Sequence, residues 1–414
     1  MKKVLILTST GGGGHMSVSN ALKQYLEDDY ETEEVLLFKH ILKSLDPVMS
    51  TIFGRFNGEN IYNYFMRKKF FMLANLLYNI GEYYFTFRSR KIRSILEYYF
   101  TKKKPDLIIS VIPIINQDVF LVTKKLGIPF LLVPTDLDAT TFLHRIDGQD
   151  HPHFKLSLAF DDGEIRKAAE KNGINPETIS ISGFPLRADF FKEKNNKKIK
   201  KDFNLPHNKP SILLLMGTQG SHDMQRFVKE LAQLAMPAHL ICCIGKSESL
   251  KTTLTSIELP EYISLSIIGF TQQIADLMAV TDLIITKSGS VSVCETMYSN
   301  KPTLLDATST VLRWERFNHH FFKKHNIGGI ISADIPIAQQ IKTVLTDKKL
   351  LKSYQNNLLA LEKNQPHLDI PELIKQMLEY TPEKEKQTTR QKEKQTSGQE
   401  ACFQLSLSST VRHK

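Results

Sequence analysis

Residues 4–8, 107–111, 130–133, 211–216, 239–244, 264–268 and 283–286 are short strand-like runs, most of them continuously apolar. Continuous rather than alternating runs fit strands of a parallel sheet covered on both faces. Segments of helical period follow most of them, with no succession of hairpin signals, which predicts an α/β doubly wound architecture. A lysine-rich polar stretch within residues 191–210 interrupts the apolar pattern just before a fresh strand. The expected division is therefore 1–190 and 191–380, each half opening on a buried strand. Two such sheets facing one another put their strand carboxyl ends on a shared cleft, where ligands bind. Residues 381–414 are rich in Lys, Glu, Gln, Thr and Ser, and are expected to form a disordered tail.

The first apolar run, Val4-Leu5-Ile6-Leu7, breaks into Gly11-Gly12-Gly13-Gly14-His15 and then into Ser17-Val18-Ser19-Asn20-Ala21-Leu22. This reads as strand, tight loop, helix. Glycines there let the backbone approach a bound group, and the N–H groups of the new helix point into the opening. A histidine at that junction has a pKa suited to taking a proton near neutrality. The competing reading is a glycine-rich turn whose histidine only caps the helix, and spacing does not choose between them.

Two loops in the second half follow the same plan. The run at 211–216 leads into Gly217-Thr218-Gln219-Gly220-Ser221, and the run at 283–286 into Lys287-Ser288-Gly289-Ser290. Small residues and hydroxyls at a helix start suit a phosphate-bearing ligand. Neither loop has the Gly-Lys-Ser/Thr ending of a P-loop or the full dinucleotide spacing, which disfavours a nicotinamide or flavin enzyme. Glu295, more than a turn beyond Ser290, suits ribose hydroxyls or is simply an acidic residue favoured by the helix dipole. Glu315 and Asn318 form a polar pair at helical spacing, able to hold sugar hydroxyls or to solvate a helix start. His151, His153, His319, His320 and His325 do not supply three or four converging donors, so no metal site is expected. There is no Gly-x-Ser-x-Gly elbow for a serine hydrolase.

The net charge of +10 changes the picture mainly through where it falls. Residues 52–104 are crowded with aromatics interleaved with basic residues, among them Arg67, Lys68, Lys69, Phe70, Phe71, Arg90 and Arg93, against only Glu59, Glu82 and Glu97. Aromatic bodies with cationic neighbours suit a helix resting on an anionic membrane surface. A core-facing helical pair with a solvated basic face is the plainer alternative. Nucleic acid stacking on the aromatics is disfavoured, because no recognisable binding module accompanies it. The four cysteines form no CxxC or spaced framework, so a reducing cytoplasm is expected. No stretch reaches about 18 uninterrupted apolar residues, and no membrane crossing is expected.

These motifs, taken in order, resemble one family. Gly12-Gly13-Gly14-His15-Met16-Ser17-Val18 looks like the glycine–histidine loop of the monogalactosyldiacylglycerol synthases and processive diacylglycerol glucosyltransferases. The related transferase that adds N-acetylglucosamine to lipid-linked muramyl peptide shares that loop. The resemblance continues through Pro134-Thr135-Asp136, Gly183-Phe184-Pro185-Leu186-Arg187, Leu215-Met216-Gly217 with Gln219-Gly220, and Gly269-Phe270. It runs on through Thr286-Lys287-Ser288-Gly289-Ser290, Cys294-Glu295-Thr296 and Glu315-Arg316-Phe317-Asn318. Each motif is weak alone; their order and spacing over roughly residues 1–380 are specific.

The resemblance implies the GT-B glycosyltransferase fold, two Rossmann-like domains facing a cleft. It also implies an inverting transfer of galactose or glucose from a UDP-sugar to diacylglycerol at the cytoplasmic membrane face. By the same resemblance His15 is the general base and Asp136 a candidate for acceptor or base support. Gly217, Thr218, Gln219, Ser288, Gly289 and Ser290 line the diphosphate site, with Phe270 beside uracil, Glu295 on ribose, and Glu315 with Asn318 near sugar or phosphate. The UDP-sugar is a co-substrate, and no separate cofactor is implied. Partners would be the UDP-sugar, the lipid acceptor and an anionic membrane surface, with no nucleic acid. Two departures stand out: Ser288-Gly289-Ser290 replaces the family's Pro-Gly-Gly, and Trp314 stands where a Gln is usual. Both fall where the donor would be gripped. A polyprenyl-linked acceptor, a UDP-sugar 2-epimerase of the same fold, and a binding protein without turnover are the alternatives.

Overall fold

A computed structural model of the chain describes residues 1–45, 58–68, 70–146, 151–217 and 222–379, the side chains of residues 67 and 222 excepted. The expected tail at 381–414 lies outside the described residues, as do Lys69, Thr218, Gln219 and the side chain of Arg67. Residues 1–371 form one compact unit, and the chain from Glu372 a second, of which the end of one helix is described.

The chain opens with β1 (Lys2–Thr8), α1 (Gly14–Leu26) and β2 (Tyr30–Leu36), then three successive helices, α2 (Gly58–Arg67), α3 (Phe71–Phe87) and α4 (Ser89–Lys103). It continues through β3 (Leu107–Ser110), α5 (Asn116–Leu126), β4 (Phe130–Leu132), β5 (Phe154–Leu158), α6 (Gly163–Lys171) and β6 (Ile179–Ile181). The lysine-rich stretch contributes α7 (Asn196–Asp202), followed by β7 (Ser211–Leu215), α8 (His222–Leu231), β8 (Ala238–Gly245), α9 (Glu248–Thr255) and β9 (Ile263–Gly269). Then come α10 (Ile274–Val280), β10 (Leu283–Lys287), α11 (Ser290–Tyr298), β11 (Thr303–Asp306), α12 (Arg316–His325) and β12 (Gly328–Ile331). Helices α13 (Ile337–Thr346), α14 (Lys348–Ala360) and α15 (Pro366–Glu379) complete the described chain.

Every strand pair is parallel. The strands form two six-stranded sheets, ordered β2-β1-β3-β4-β5-β6 and β12-β11-β10-β7-β8-β9. This is the doubly wound α/β architecture that the apolar runs predict. Val4, Leu5, Ile6 and Leu7 have no exposed surface, and Leu5 and Leu7 share a cluster with Ile92, Leu96 and Phe100 of α4 and Val119 of α5. Burying each such side chain contributes about 1.5–3 kcal/mol, which is why this strand tolerates no polar alternation.

The strand order fixes where ligands can bind. In the first sheet the chain leaves β1 for β2 on one side and returns as β3 on the other, so the loops after β1 and β3 diverge. In the second sheet the same reversal separates β7 from β10. Ligands of open α/β sheets sit at such switch points, beyond the strand carboxyl ends. The loop after β1 leads to His15 in the first turn of α1, and the loop after β10, with Ser288 and Gly289, leads to Ser290 at the start of α11.

The segment after β6 crosses between the sheets and is held at both sides. Gly183 has φ +80°, and a Cβ there would lie 2.7 Å from the Tyr298 hydroxyl, so glycine is required on both grounds. The Phe184 N–H donates to the Tyr298 Oη of α11 at 3.3 Å, and the Leu186 N–H donates to the Tyr25 Oη of α1 at 3.0 Å. Thus the Gly183-Phe184-Pro185-Leu186 motif bridges α1 and α11, the two helices whose N-termini lie side by side.

Candidate active site

Helix α1 begins at Gly14 because β1 has ended and four glycines let the chain turn. Gly12 takes φ +76°, a conformation L side chains rarely adopt. The Gly13 N-cap offers no side chain, and α1 has no acidic residue in its first turn. His15 occupies that first turn, partly buried. Its Nδ1 lies 2.8 Å from the Val111 carbonyl oxygen, just beyond β3, and 2.9 Å from Thr135 Oγ1. A carbonyl has no proton to give, so the short contact to Val111 requires Nδ1–H, leaving the lone pair on Nε2. Burial lowers the imidazole pKa below its ordinary value, against smaller opposing effects from the Val111 hydrogen bond and the Glu59 charge. A neutral ring with a fixed tautomer is what a general base needs.

The turn after β4 joins this histidine to the other half. Thr135 touches His15, while the next residue, Asp136, accepts a 3.0 Å hydrogen bond from Ser290 Oγ at the start of α11. Burial raises the Asp136 carboxyl to about 7, with Glu315 and Asp138 adding to the rise and the Ser290 hydrogen bond opposing it. A Cβ on Gly14 would stand 3.6 Å from Val291 Cγ2, so the two helix starts abut directly.

The loop before α11 is braced from behind. Asn318 is fully buried, and its Nδ2 donates to the Ser288 carbonyl at 2.6 Å and to Ser290 Oγ at 3.2 Å. Its Oδ1 finds no hydrogen-bond partner among the described residues. Ser288 Oγ pairs with His319 Nε2 at 2.5 Å. Asn318 is thus placed as a brace for the loop, where the sequence suggested direct contact with sugar or phosphate. Gly289, the N-cap of α11, carries no side-chain cap, so the first-turn N–H groups lack that partner. Glu315 lies on the same side: a Cβ on Gly289 would be 3.7 Å from its Oε1, and burial raises its carboxyl to about 6.

Farther along α11, burial raises Glu295 to about 7, partly offset by Arg187. Arg187 itself donates from Nη1 to the Gln272 carbonyl and Oε1, at 3.0 and 2.9 Å. Phe270 is 58% exposed, with Lys246 Nζ 5.0 Å from its ring centroid. Gly217 takes φ +95° at the end of the described part of its loop. Sequence reasoning missed Thr135, Arg187, Gln272 and His319 as parts of this site. Thr135 and Arg187 stood inside the motifs but had no assigned partner.

Two of the other histidines named above pack elsewhere. His151 is buried against Phe120 and lies 3.1 Å from Thr123 Oγ1, and His325 packs on Phe321.

Of the aromatic-basic segment, residues 52–57 and 69 lie outside the described residues, and the rest forms α2, α3 and α4. On α3, Met72 (86% exposed), Leu76, Ile80 (55%), Tyr83 (76%) and Phe87 (79%) are all exposed. At 3.6 residues per turn these five fall within about 80° of arc. Ala74, Tyr78 and Phe85 take the opposite side. Tyr78 packs on Trp314 with ring centroids 5.3 Å apart, which gives the unusual tryptophan a place: it ties α3 to the loop before α12. Lys68, Phe70 and Arg90 are exposed and Phe71 is half-buried. Arg93 differs from a free surface cation, since its Nε lies 3.6 Å from the buried Asp118. No helix among the described residues is long and apolar enough to cross a membrane.

With the geometry in hand, similarity to known proteins becomes informative. Residues 15–186 match the family model described as monogalactosyldiacylglycerol (MGDG) synthase, and residues 211–311 match the glycosyltransferase family 28 C-terminal domain. A processive diacylglycerol beta-glucosyltransferase of Bacillus pumilus (strain SAFR-032) is 27% identical over 372 residues, covering 87% of this chain and 91% of its own length. The protein of the same description from Bacillus subtilis (strain 168) is 25% identical over 392 residues, with 91% and 95% covered. Among solved structures, Acinetobacter baumannii MurG aligns with a TM-score of 0.60 at 15% identity, covering 91% of this chain and all of its own, a likeness of fold. Over both halves, therefore, the chain is similar to the MGDG synthase and processive diacylglycerol glucosyltransferase group, and its two-sheet architecture is the GT-B fold.

Proposed function

We propose that the protein transfers a hexose from a UDP-sugar to the free hydroxyl of diacylglycerol, with inversion, while docked on the inner face of the cell membrane. One observation supports this reading most. Consecutive residues, Thr135 and Asp136, touch the imidazole of the first half and the α11 N-terminus of the second, which puts the candidate base beside a helix start suited to an anion.

In this mechanism His15 Nε2 removes the acceptor proton as its oxygen attacks the anomeric carbon. The bond from that carbon to the diphosphate breaks, and UDP departs with the electron pair. The resulting imidazolium is steadied by the Nδ1–H bond to Val111 O. The leaving diphosphate gains its stabilisation from the N–H groups at the start of α11 and from the hydroxyls of Ser288 and Ser290, in a site preorganised by Asn318. Glu295 would read the ribose, Phe270 the uracil and Glu315 the sugar. The exposed stripe of α3, with Lys68 and Arg90 nearby, would seat the enzyme where its acceptor resides.

The test is glycolipid formation from diacylglycerol and labelled UDP-glucose or UDP-galactose by wild type and His15→Ala. The substitution should lower turnover by about two to four orders of magnitude while leaving UDP affinity nearly unchanged. Full activity in His15→Ala removes the imidazole from the mechanism. Transfer to a polyprenyl-linked acceptor in place of diacylglycerol would reassign the substrate.

A further inference from the structure

Helix α2 holds the loop that leads to His15. Glu59 and Asn63, one helical turn apart and hence on one face of α2, reach across to residues 9–12. Glu59 Oε1 accepts from Ser9 Oγ at 2.5 Å and from the Thr10 N–H at 3.1 Å, and its Oε2 accepts from Thr10 Oγ1 at 2.7 Å. Asn63 Oδ1 accepts from the Gly12 N–H at 2.9 Å, and its Nδ2 donates to the Thr10 carbonyl at 2.9 Å. The ring of Tyr62 lies beside Gly11. A run of four glycines is the most conformationally free stretch a chain can contain, and ordering it is costly. Side chains from another element that satisfy its backbone groups therefore decide its shape. His15 follows that loop directly.

The same helix packs against α3, and the two form a helical hairpin that the docking reading turns toward lipid. The end of α2 passes through Lys68 and Phe70 into α3, where the Phe70 N–H donates to the Phe65 carbonyl at 2.9 Å, and α3 presents the exposed stripe from Met72 to Phe87. We infer that Glu59 and Asn63 are positioning residues that hold the His15 loop in its working shape, so that α2 transmits the seating of the hairpin on a lipid surface to the base. This rests on the docking reading given under the proposed function.

The experiment uses the full chain and three variants, Glu59→Ala, Glu59→Gln and Asn63→Ala. Each is followed by hydrogen exchange of the peptide spanning residues 9–17 and by kinetics on detergent-solubilised diacylglycerol. In wild type, vesicles of phosphatidylglycerol containing diacylglycerol should slow exchange of that peptide. In Glu59→Ala the peptide should exchange several-fold faster and no longer respond to vesicles, while β1 and β3 keep their protection. The kcat of Glu59→Ala should fall by about tenfold to a hundredfold with KM for the UDP-sugar little changed, as expected for a misplaced base. Glu59→Gln should keep most of the activity, because its amide oxygen still accepts from Ser9 and Thr10 and its NH2 can donate to Thr10 Oγ1. Asn63→Ala should lie between. Unchanged loop exchange and kcat in Glu59→Ala overturn the inference, as does loss of protection throughout β1 and β3. An equal fall in Glu59→Gln also overturns it, since charge and not tethering would then be at work. Failure of the wild-type protein to sediment with the vesicles strikes the docking reading instead, and is read separately from the exchange of the loop.

Discussion

At the scale of single residues, the proposed chemistry depends on which nitrogen of His15 carries the proton and at what pH it is neutral. The Val111 carbonyl answers the first question and burial the second. A lowered pKa means the base form persists below the ordinary histidine value of about 6.5 and is lost only as the medium becomes more acidic still. The acid limb of kcat should therefore fall below that value, measured on Asp136→Asn so that the neighbouring carboxyl at about 7 does not overlay it. A limb at or above the ordinary value would mean the ring is not held as the structure has it. The histidine itself was legible in the sequence because its signal is local: apolar run, glycines, imidazole, helix. Thr135 and Glu59 were not, because their meaning lies in partners 120 and about 50 positions away, and a lone threonine or glutamate has no pattern of its own.

At the scale of elements, the central strands announced themselves and the peripheral ones did not. A strand such as β1 is buried on both faces and must be apolar throughout. By contrast β2 sits at a sheet edge, where Glu31 and Glu33 reach solvent and the lysines Lys3 and Lys103, so its sequence lacks the continuous apolar run of a central strand. Short β12 opens with two glycines because a Cβ at Gly328 would meet the Thr303 carbonyl at 2.2 Å, and glycines suggest a turn. For the segment around α3 the sequence showed aromatic and basic content, and folding adds that α3 itself carries no basic residue and leaves one apolar face uncovered. The exposed stripe has a direct consequence. Replacing Leu76 and Ile80 together with Glu removes two apolar contacts, each worth about 1.5–3 kcal/mol when fully buried, and adds like charge toward an anionic surface. Sedimentation with phosphatidylglycerol vesicles should fall at least tenfold, with UDP affinity and melting temperature unchanged because both side chains point away from the core. Undiminished sedimentation would show that the stripe is not the seat.

At the scale of the whole molecule, two sheets meet through a carboxylate placed where an anion would bind. Asp136 comes from the first half, yet it accepts its hydrogen bond from Ser290 at the start of α11 in the second. A diphosphate seeking the same hydroxyl and helix start competes with that carboxylate, and two negative charges in one partly dry cleft repel strongly. The sign follows from the raised pKa of about 7. Below it the carboxyl is neutral and tolerates the ligand; above it the carboxylate must be displaced or reprotonated, so binding takes up a proton. If the neutral form binds and the ionised form does not, Kd for a UDP-sugar rises about tenfold from pH 6 to pH 8 by linkage. A UDP-sugar is the right probe because its diphosphate is esterified at both ends and does not titrate in this range. In Asp136→Asn that share of the dependence should vanish and binding at pH 8 should tighten, whereas the contribution of Glu295, also at about 7, persists in both proteins and cancels in the comparison. Calorimetry across that range, in two buffers of different ionisation enthalpy, reads the proton uptake directly. Equal pH dependence in the two proteins would place the diphosphate away from Ser290, and with it the cleft chemistry that joins the two halves.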